Sequence, residues 1–185
     1  MKARLGIFGV TGWKNSGKTR MVACLVAEFS ARGLRVSTVK HAHHSFDIDQ
    51  EGRDSWQHRQ AGASEVALVS RNRWALMHEL RGEDEPELDS ILDRLSPCDL
   101  VIVEGYKREA HPKIEMIRSG NTPAPSAEAT RSNPPLWPDD PAIVMIGSAG
   151  KIEDCPLPRF DPDAIAAIAD FILDYLRKAA RNAAE

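Results

Sequence analysis

The chain lacks any apolar run of about 18 residues, so the sequence offers no membrane-spanning helix. Its first residues, MKARLGIFGVTG, make a poor signal peptide, because the apolar stretch is short and reads as a strand. Cysteine is scarce: Cys24, Cys98 and Cys155 are far apart, and there is no C-x-x-C. Neither a disulfide framework nor a zinc knuckle is expected, and a reducing cytoplasm is the natural setting. A strong charge of either sign is also missing. The net charge of -3 and pI of about 6.1 argue against nucleic acid or anionic membrane as bulk partners and leave room for a local basic pocket. Aromatic residues make up only 6%, but 42% of the 185 residues are hydrophobic, enough for the core of one α/β domain. No internal repeat is present.

Strand and helix patterns alternate along the chain. Leu5–Val10 and Asp99–Val103 read as buried apolar strands, and Arg35–His41, Lys113–Arg118 and Ala142–Ile146 as further strands. Gly17 to Arg32 reads as a helix with Met21, Cys24, Leu25 and Phe29 on its core face and Gly33 as its C-terminal stop. Ser55–Ala63 and Glu87–Leu95 read as shorter helices, and Glu65–Ser70 and Trp74–Leu80 as a hairpin. The last helix is expected to open at Asp161 and Pro162, with Ile165, Ile168, Ile172 and Leu176 facing the core and the tail RKAARNAAE fraying. Residues 119–141 hold six of the twelve prolines and read as a surface loop. The pattern predicts a single α/β domain over 1–185, with a mainly parallel sheet flanked by helices, a P-loop NTPase fold and an added β-hairpin.

Between the first strand and the first helix stands Gly12-Trp13-Lys14-Asn15-Ser16-Gly17-Lys18-Thr19, a full G-x-x-x-x-G-K-[ST] phosphate loop. The glycines let backbone N–H groups turn inward, and the helix N-terminus adds a positive end, so a polyphosphate is favoured there. Lys18 is expected on the β- and γ-phosphates and the Thr19 hydroxyl on Mg²⁺. Two readings stay open for Lys14, phosphate contact and solvated loop charge. It does not stand straight after the first glycine, where deviant P-loops carry a second lysine.

Glu104 ends the apolar strand DLVIV, where a carboxylate can hold Mg²⁺ through water or orient an attacking water. Asp99 lies at the other end of that strand and reads as structural. Lys107 and Arg108 follow, and their place suits phosphate contact and solvent equally. After the second strand comes a polar loop with Lys40, His41, His43, His44, Asp47 and Asp49. Its histidines and lysine suit an anionic partner, and Asp47 or Asp49 is in place for the Mg²⁺ shell. Solvated histidines and a helix-capping Asp49 remain alternatives.

The run TVKHAHHSFDIDQEGRDSWQHRQAGA at 38–63 resembles the signature of the molybdopterin-guanine dinucleotide biosynthesis protein B (MobB) family. RWALMHE at 73–79, VEGYK at 103–107, KIEMIR at 113–118 and FDPDAIAAIADFI at 160–172 resemble that family in the same order. The resemblance implies a cytoplasmic, homodimeric, GTP-binding accessory protein with weak GTPase activity, dependent on Mg²⁺. It implies molybdopterin guanylyltransferase (MobA) and molybdopterin as partners, and neither nucleic acid nor membrane. It supports Gly17, Lys18 and Thr19 on phosphate and Mg²⁺, with Glu104 as the strand-end carboxylate. Lys40, His41, His44, Asp47, Asp49 and Asp54 belong to the matching signature; Lys40, His41, His44, Asp47 and Asp54 are expected to form a substrate or partner loop, and Asp49 to join Thr19 and Glu104 at the metal. Ser148 stands in the loop expected near the base, where Ala149 replaces the Asp that relatives can carry. No [NT]-K-x-D motif occurs, so sequence chemistry supports a nucleoside triphosphate and the resemblance supplies guanine. The rivals are a small-molecule kinase or NTP-driven ligase, a binding adaptor without hydrolysis, and a histidine-based metal carrier.

Overall fold

The computed structural model describes residues 5–42, 47–118 and 133–183. Along them run β1 (Gly6–Thr11), α1 (Lys18–Ala31), β2 (Val36–Lys40), α2 (Asp54–Gln60), β3 (Glu65–Val69), β4 (Trp74–His78), α3 (Leu88–Asp93), β5 (Leu100–Glu104), β6 (Lys113–Met116), β7 (Ile143–Gly147), β8 (Arg159–Phe160) and α4 (Ile165–Asn182). Contacts divide the chain into two units, Met1–His41 with Arg94–Glu185, and Ala42–Asp93.

The first unit is built on a six-stranded sheet in the order β2-β5-β1-β6-β7-β8, parallel at every pairing. Its central strands are buried on both faces, which is why they read as continuous apolar runs. Phe8, Val10, Leu100, Ile102 and Ile114 form one face of the core. Met21, Leu25 and Phe29 of α1, and Ile168, Ile172 and Leu176 of α4, pack against that face. Cys24 does not join them: it is only half-buried, so the core stripe of α1 is narrower than its sequence suggests. Past the end of α1, Gly33 at φ 82° lets the Leu34 N–H donate to the Phe29 carbonyl at 3.0 Å, closing the helix as expected.

Helices α2 and α3 end earlier than expected, at Gln60 and Asp93, and α4 departs from expectation at both ends. Asp161 and Pro162 precede α4 rather than open it. The Asp161 carboxylate accepts the Asp163 N–H and its carbonyl accepts the Ala164 N–H, both at 2.9 Å, and this local turn delays the helix to Ile165. The tail is also more ordered than expected, since α4 continues through Asn182. Alanine, arginine and lysine are strong helix formers and carry it on without a core face. The two-residue β8 is too short to announce itself by periodicity.

Charge enters the sheet at β6. Lys113 is fully buried, and its Nζ donates to the carbonyls of Lys107 (2.9 Å) and Glu109 (2.6 Å) and to Asp140 Oδ2 (2.9 Å). Glu115 is likewise buried and accepts the Leu136 and Trp137 N–H groups at 2.8 and 2.9 Å. Burial raises its pKa. These are buried polar groups made tolerable by partners, and through them β6 fixes the segments 107–109 and 136–140.

The second unit holds the antiparallel hairpin of β3 and β4, with Val66 opposite Met77 and Val69 opposite Trp74. Val66 and Met77 are buried, α2 packs on β3, and Leu88 and Leu92 of α3 are buried. On the alternate face Leu76, Trp74 and Val69 are exposed, Trp74 by 67% and Val69 by 80%.

Candidate functional site

The phosphate loop leaves β1 at Thr11 and enters α1 at Lys18. Gly12 holds φ 133°, and a Cβ there would lie 2.5 Å from the Met116 carbonyl oxygen, so only glycine lets the loop turn against β6. Asn15 and Gly17 also have positive φ, 63° and 97°, which curls the loop around its own centre. Helix α1 then starts with no side-chain cap and no acidic residue in its first turn. Its leading N–H groups are left for an anion. The Ser16 hydroxyl is buried in the loop with no hydrogen-bond partner among the described residues. Lys18 Nζ folds back on the Trp13 carbonyl at 2.7 Å. Burial lowers its pKa; Glu104 opposes that, and the like charges of Lys107 and Lys40 add to it.

Parallel pairing of β1, β5 and β2 sets Val10 and Lys40 level with Glu104. Glu104, 7% exposed, accepts the Thr19 hydroxyl at 2.8 Å and pairs with Lys40 Nζ at 3.3 Å. The structure thus brings together Lys18, Thr19, Glu104 and Lys40. His41 is tied to the same strand end, its N–H donating to the Glu104 carbonyl at 2.9 Å and its ring 4.9 Å from that of Tyr106. Gly105 at φ 90° lies within 3.1 Å of the His41 Cβ, measured from where its own Cβ would be. Asp99 sits at the opposite end of β5 and accepts the Arg35 N–H at 2.7 Å, the structural role expected of it.

On the β6 side of the loop is a cavity of about 210 Å³ lined by Ser16, Arg20, Cys24, Met116, Ala149 and Pro162, among others. Asn15 also lines it, whereas Lys14 is exposed and lines none of it. Ser148 is fully buried, and its Oγ accepts the Gly150 N–H at 3.3 Å, so it shapes the loop while Ala149 faces the cavity.

Residues 7–133 match the family described as molybdopterin guanine dinucleotide synthesis protein B, MobB. The chain is 31% identical over 183 residues to the molybdopterin-guanine dinucleotide biosynthesis adapter protein of Escherichia coli K12, covering 96% of this chain and 97% of that one. It is 36% identical over 179 residues to the protein of the same name from Haemophilus influenzae, covering 95% and 92%. The chain belongs to this family.

The fold agrees. A crystal structure of molybdopterin-guanine biosynthesis protein B superposes with a TM-score of 0.66 at 26% identity, covering 91% of this chain and 99% of the other. A MobB protein homolog from Bacillus stearothermophilus gives 0.65 at 25%, covering 93% and 98%. The α/β architecture expected from sequence, a parallel sheet flanked by helices with an added hairpin, is therefore that of MobB.

The remaining expected site residues of this family member lie in the second unit. Asp49 Oδ1 accepts the Ser55 hydroxyl at 2.7 Å, and Asp49 Oδ2 lies 3.5 Å from Arg59 Nε. Asp47 takes the Arg59 guanidinium at 2.7 Å, which lowers the Asp47 pKa. Glu79 lies 3.3 Å from the same group. Arg59 is thus a hub for three carboxylates, a role that sequence reasoning missed because the partners are not periodic with it. Asp54 begins α2. His44, like His43, lies outside the described residues, as do residues 119–132 of the proline-rich segment. Among the described residues no three His, Cys, Asp or Glu side chains gather as a metal set, and no helix is long and apolar enough to cross a membrane. Lys113 was also missed, because a lysine opening a strand reads as solvent-facing and its partners at 107, 109 and 140 form no local pattern with it.

Proposed function

We propose that this chain is an adapter of molybdopterin-guanine dinucleotide synthesis that binds GTP with Mg²⁺ and hydrolyses it slowly. The observation that carries the nucleotide reading is the Thr19 hydroxyl hydrogen-bonded at 2.8 Å to Glu104 at the mouth of an uncapped phosphate loop. A hydroxyl and a carboxylate beside a polyphosphate cradle fit Mg²⁺, which completes its shell with phosphate oxygens and water. Thr19 and Glu104 are the residues that would hold it, and the ion would supply charge neutralisation at the terminal phosphates. The Ser16 hydroxyl, without a hydrogen-bond partner among the described residues, and backbone N–H groups of the loop would donate to phosphate oxygens. Lys18, held on the Trp13 carbonyl, needs only to swing from it to an anion. The cavity by Arg20, Ala149 and Pro162 is open to the nucleoside.

Hydrolysis is proposed as slow because Glu104-Gly105-Tyr106 stands where a water-positioning glutamine is wanted. Basal turnover is expected on the order of 10⁻⁴ to 10⁻² s⁻¹. Molybdopterin guanylyltransferase or molybdopterin is expected to accelerate it by ordering cations and excluding water around the γ-phosphate. Steady-state phosphate release from GTP and ATP, with and without those partners, tests this. A basal rate above about 1 s⁻¹ that no partner changes would point to a self-sufficient enzyme instead.

A further inference from the structure

We propose that Lys107 is a phosphate-contacting cation, a further positive charge aimed at the terminal phosphate of a bound nucleoside triphosphate. This rests on the nucleotide reading above. Lys107 Nζ lies 4.0 Å from the centroid of the Trp13 ring. Trp13 stands directly after Gly12 in the phosphate loop, so this contact brings a cation from outside the loop onto the loop itself. The indole is held in turn, its Nε1 donating to the Pro134 carbonyl at 2.8 Å. A lysine resting on a held aromatic face is already partly ordered, so less freedom is lost when it meets an anion.

The backbone under Lys107 is fixed as well. The fully buried Lys113 donates to the Lys107 and Glu109 carbonyls and to Asp140. That anchor sets where the Lys107 side chain begins. Tyr106 just before it holds φ 47°, a left-handed conformation uncommon for a tyrosine and typical of segments constrained for function.

Charge supplies the reason. Lys18, Lys40 and Lys107 gather around the loop, close enough for Lys40 and Lys107 to act on Lys18, and two carboxylates oppose the three cations, Glu104 at Lys18 and Lys40 and Glu115 at Lys107. Like charges gathered this way repel unless an anion shares them. Lys107 follows the strand end that carries Glu104, and it does not line the cavity beside Arg20 and Ala149. It borders a separate cavity beside Asp140 and Tyr175, and its ammonium rests on Trp13 of the loop within electrostatic reach of Lys18. Since Lys18 is the lysine expected at the terminal phosphates, the Lys107 charge is assigned to that side. A contact to the terminal phosphate distinguishes triphosphate from diphosphate.

The test is calorimetric binding of GTP and GDP with Mg²⁺ to the parent protein and to Lys107→Met, Lys107→Arg, Arg108→Met and Lys18→Ala, each checked for its fold by circular dichroism. Lys107→Met should lose about tenfold in GTP affinity and less than about threefold in GDP affinity. Lys107→Arg should recover most of the loss, and Arg108→Met should match the parent. Equal losses for GTP and GDP, or none, in a folded Lys107→Met protein overturn the proposal. If Lys18→Ala weakens GTP binding while Lys107→Met does not, only the role of Lys107 falls. If the parent binds no triphosphate, the nucleotide reading falls with it.

Discussion

Glu104 and Thr19 make the clearest residue-scale pair, a hydroxyl on a carboxylate at 2.8 Å. Glu104→Gln keeps the shape and the hydrogen bond but removes the charge. GTP affinity should stay within about threefold while turnover falls by about tenfold or more, a loss read by phosphate release and consistent with removing a charge used in the transition state. Parental turnover in that variant would exclude Glu104 from catalysis. Thr19→Ala should instead flatten the Mg²⁺ dependence of GTP binding, because it removes the oxygen proposed for the metal shell. His111 offers a test of the fold by pH. Burial, with the Lys113 charge adding to it, pushes its imidazole down to about 4. An unfolded chain takes up that proton near pH 6.5, a normal histidine value. The stability tied to neutral His111 is complete above that pH and is lost as pH falls toward 4. Glu115 acts the other way, since its raised pKa makes the folded chain hold a proton that rising pH removes. His111→Asn should therefore flatten the loss of stability between pH 6.5 and 4, read from denaturant midpoints. An unchanged slope would mean that His111 is not buried neutral.

At the scale of elements, the sequence was most readable where burial is uniform. Every residue of Leu100–Glu104 is buried, and that strand was recognisable as an unbroken apolar run ending in a carboxylate. The phosphate loop was equally legible, because its backbone geometry demands glycine at fixed spacing. The start of α4 was not. Asp161 suits a helix cap and a local turn equally well by composition, and the turn it makes with Asp163 and Ala164 decides the outcome. Lys113 and Glu115 were hidden for a different reason: charge within a strand reads as solvent-facing until its distant partners, Asp140 and the 136–137 amides, are known. Lys113→Met would leave Asp140 and two carbonyls without their donor. A loss of about 3 kcal/mol is expected in chemical denaturation, at the lower end for a broken buried pair because Asp140 reaches solvent. The hairpin carries a separate expectation. Val69, Trp74 and Leu76 form an exposed apolar face, and such a face on a two-stranded sheet invites a second copy. We expect a homodimer by light scattering at micromolar concentration, and a monomer for Trp74→Glu. A parent protein that is monomeric there would contradict it.

For the whole molecule, the family and architecture follow from matches that span nearly the entire chain, whereas the nucleotide chemistry proposed for it rests on the phosphate loop and its neighbours. Legibility was uneven at this scale too. The phosphate loop and Glu104 were found from sequence because one motif and one strand end define them. The setting of Asp47 and Asp49 was not, since their ion pairs with Arg59 join residues that no local pattern connects. The most direct measurement is the equilibrium affinity for GTP with Mg²⁺, comparing the parent with a folded Lys18→Ala variant. Lys18 is held by one carbonyl in the structure and should turn to phosphate when it is present. Lys18→Ala should bind GTP about ten- to a hundredfold more weakly, the size of a lost charge-assisted contact. Equal GTP affinity in the two proteins would contradict it.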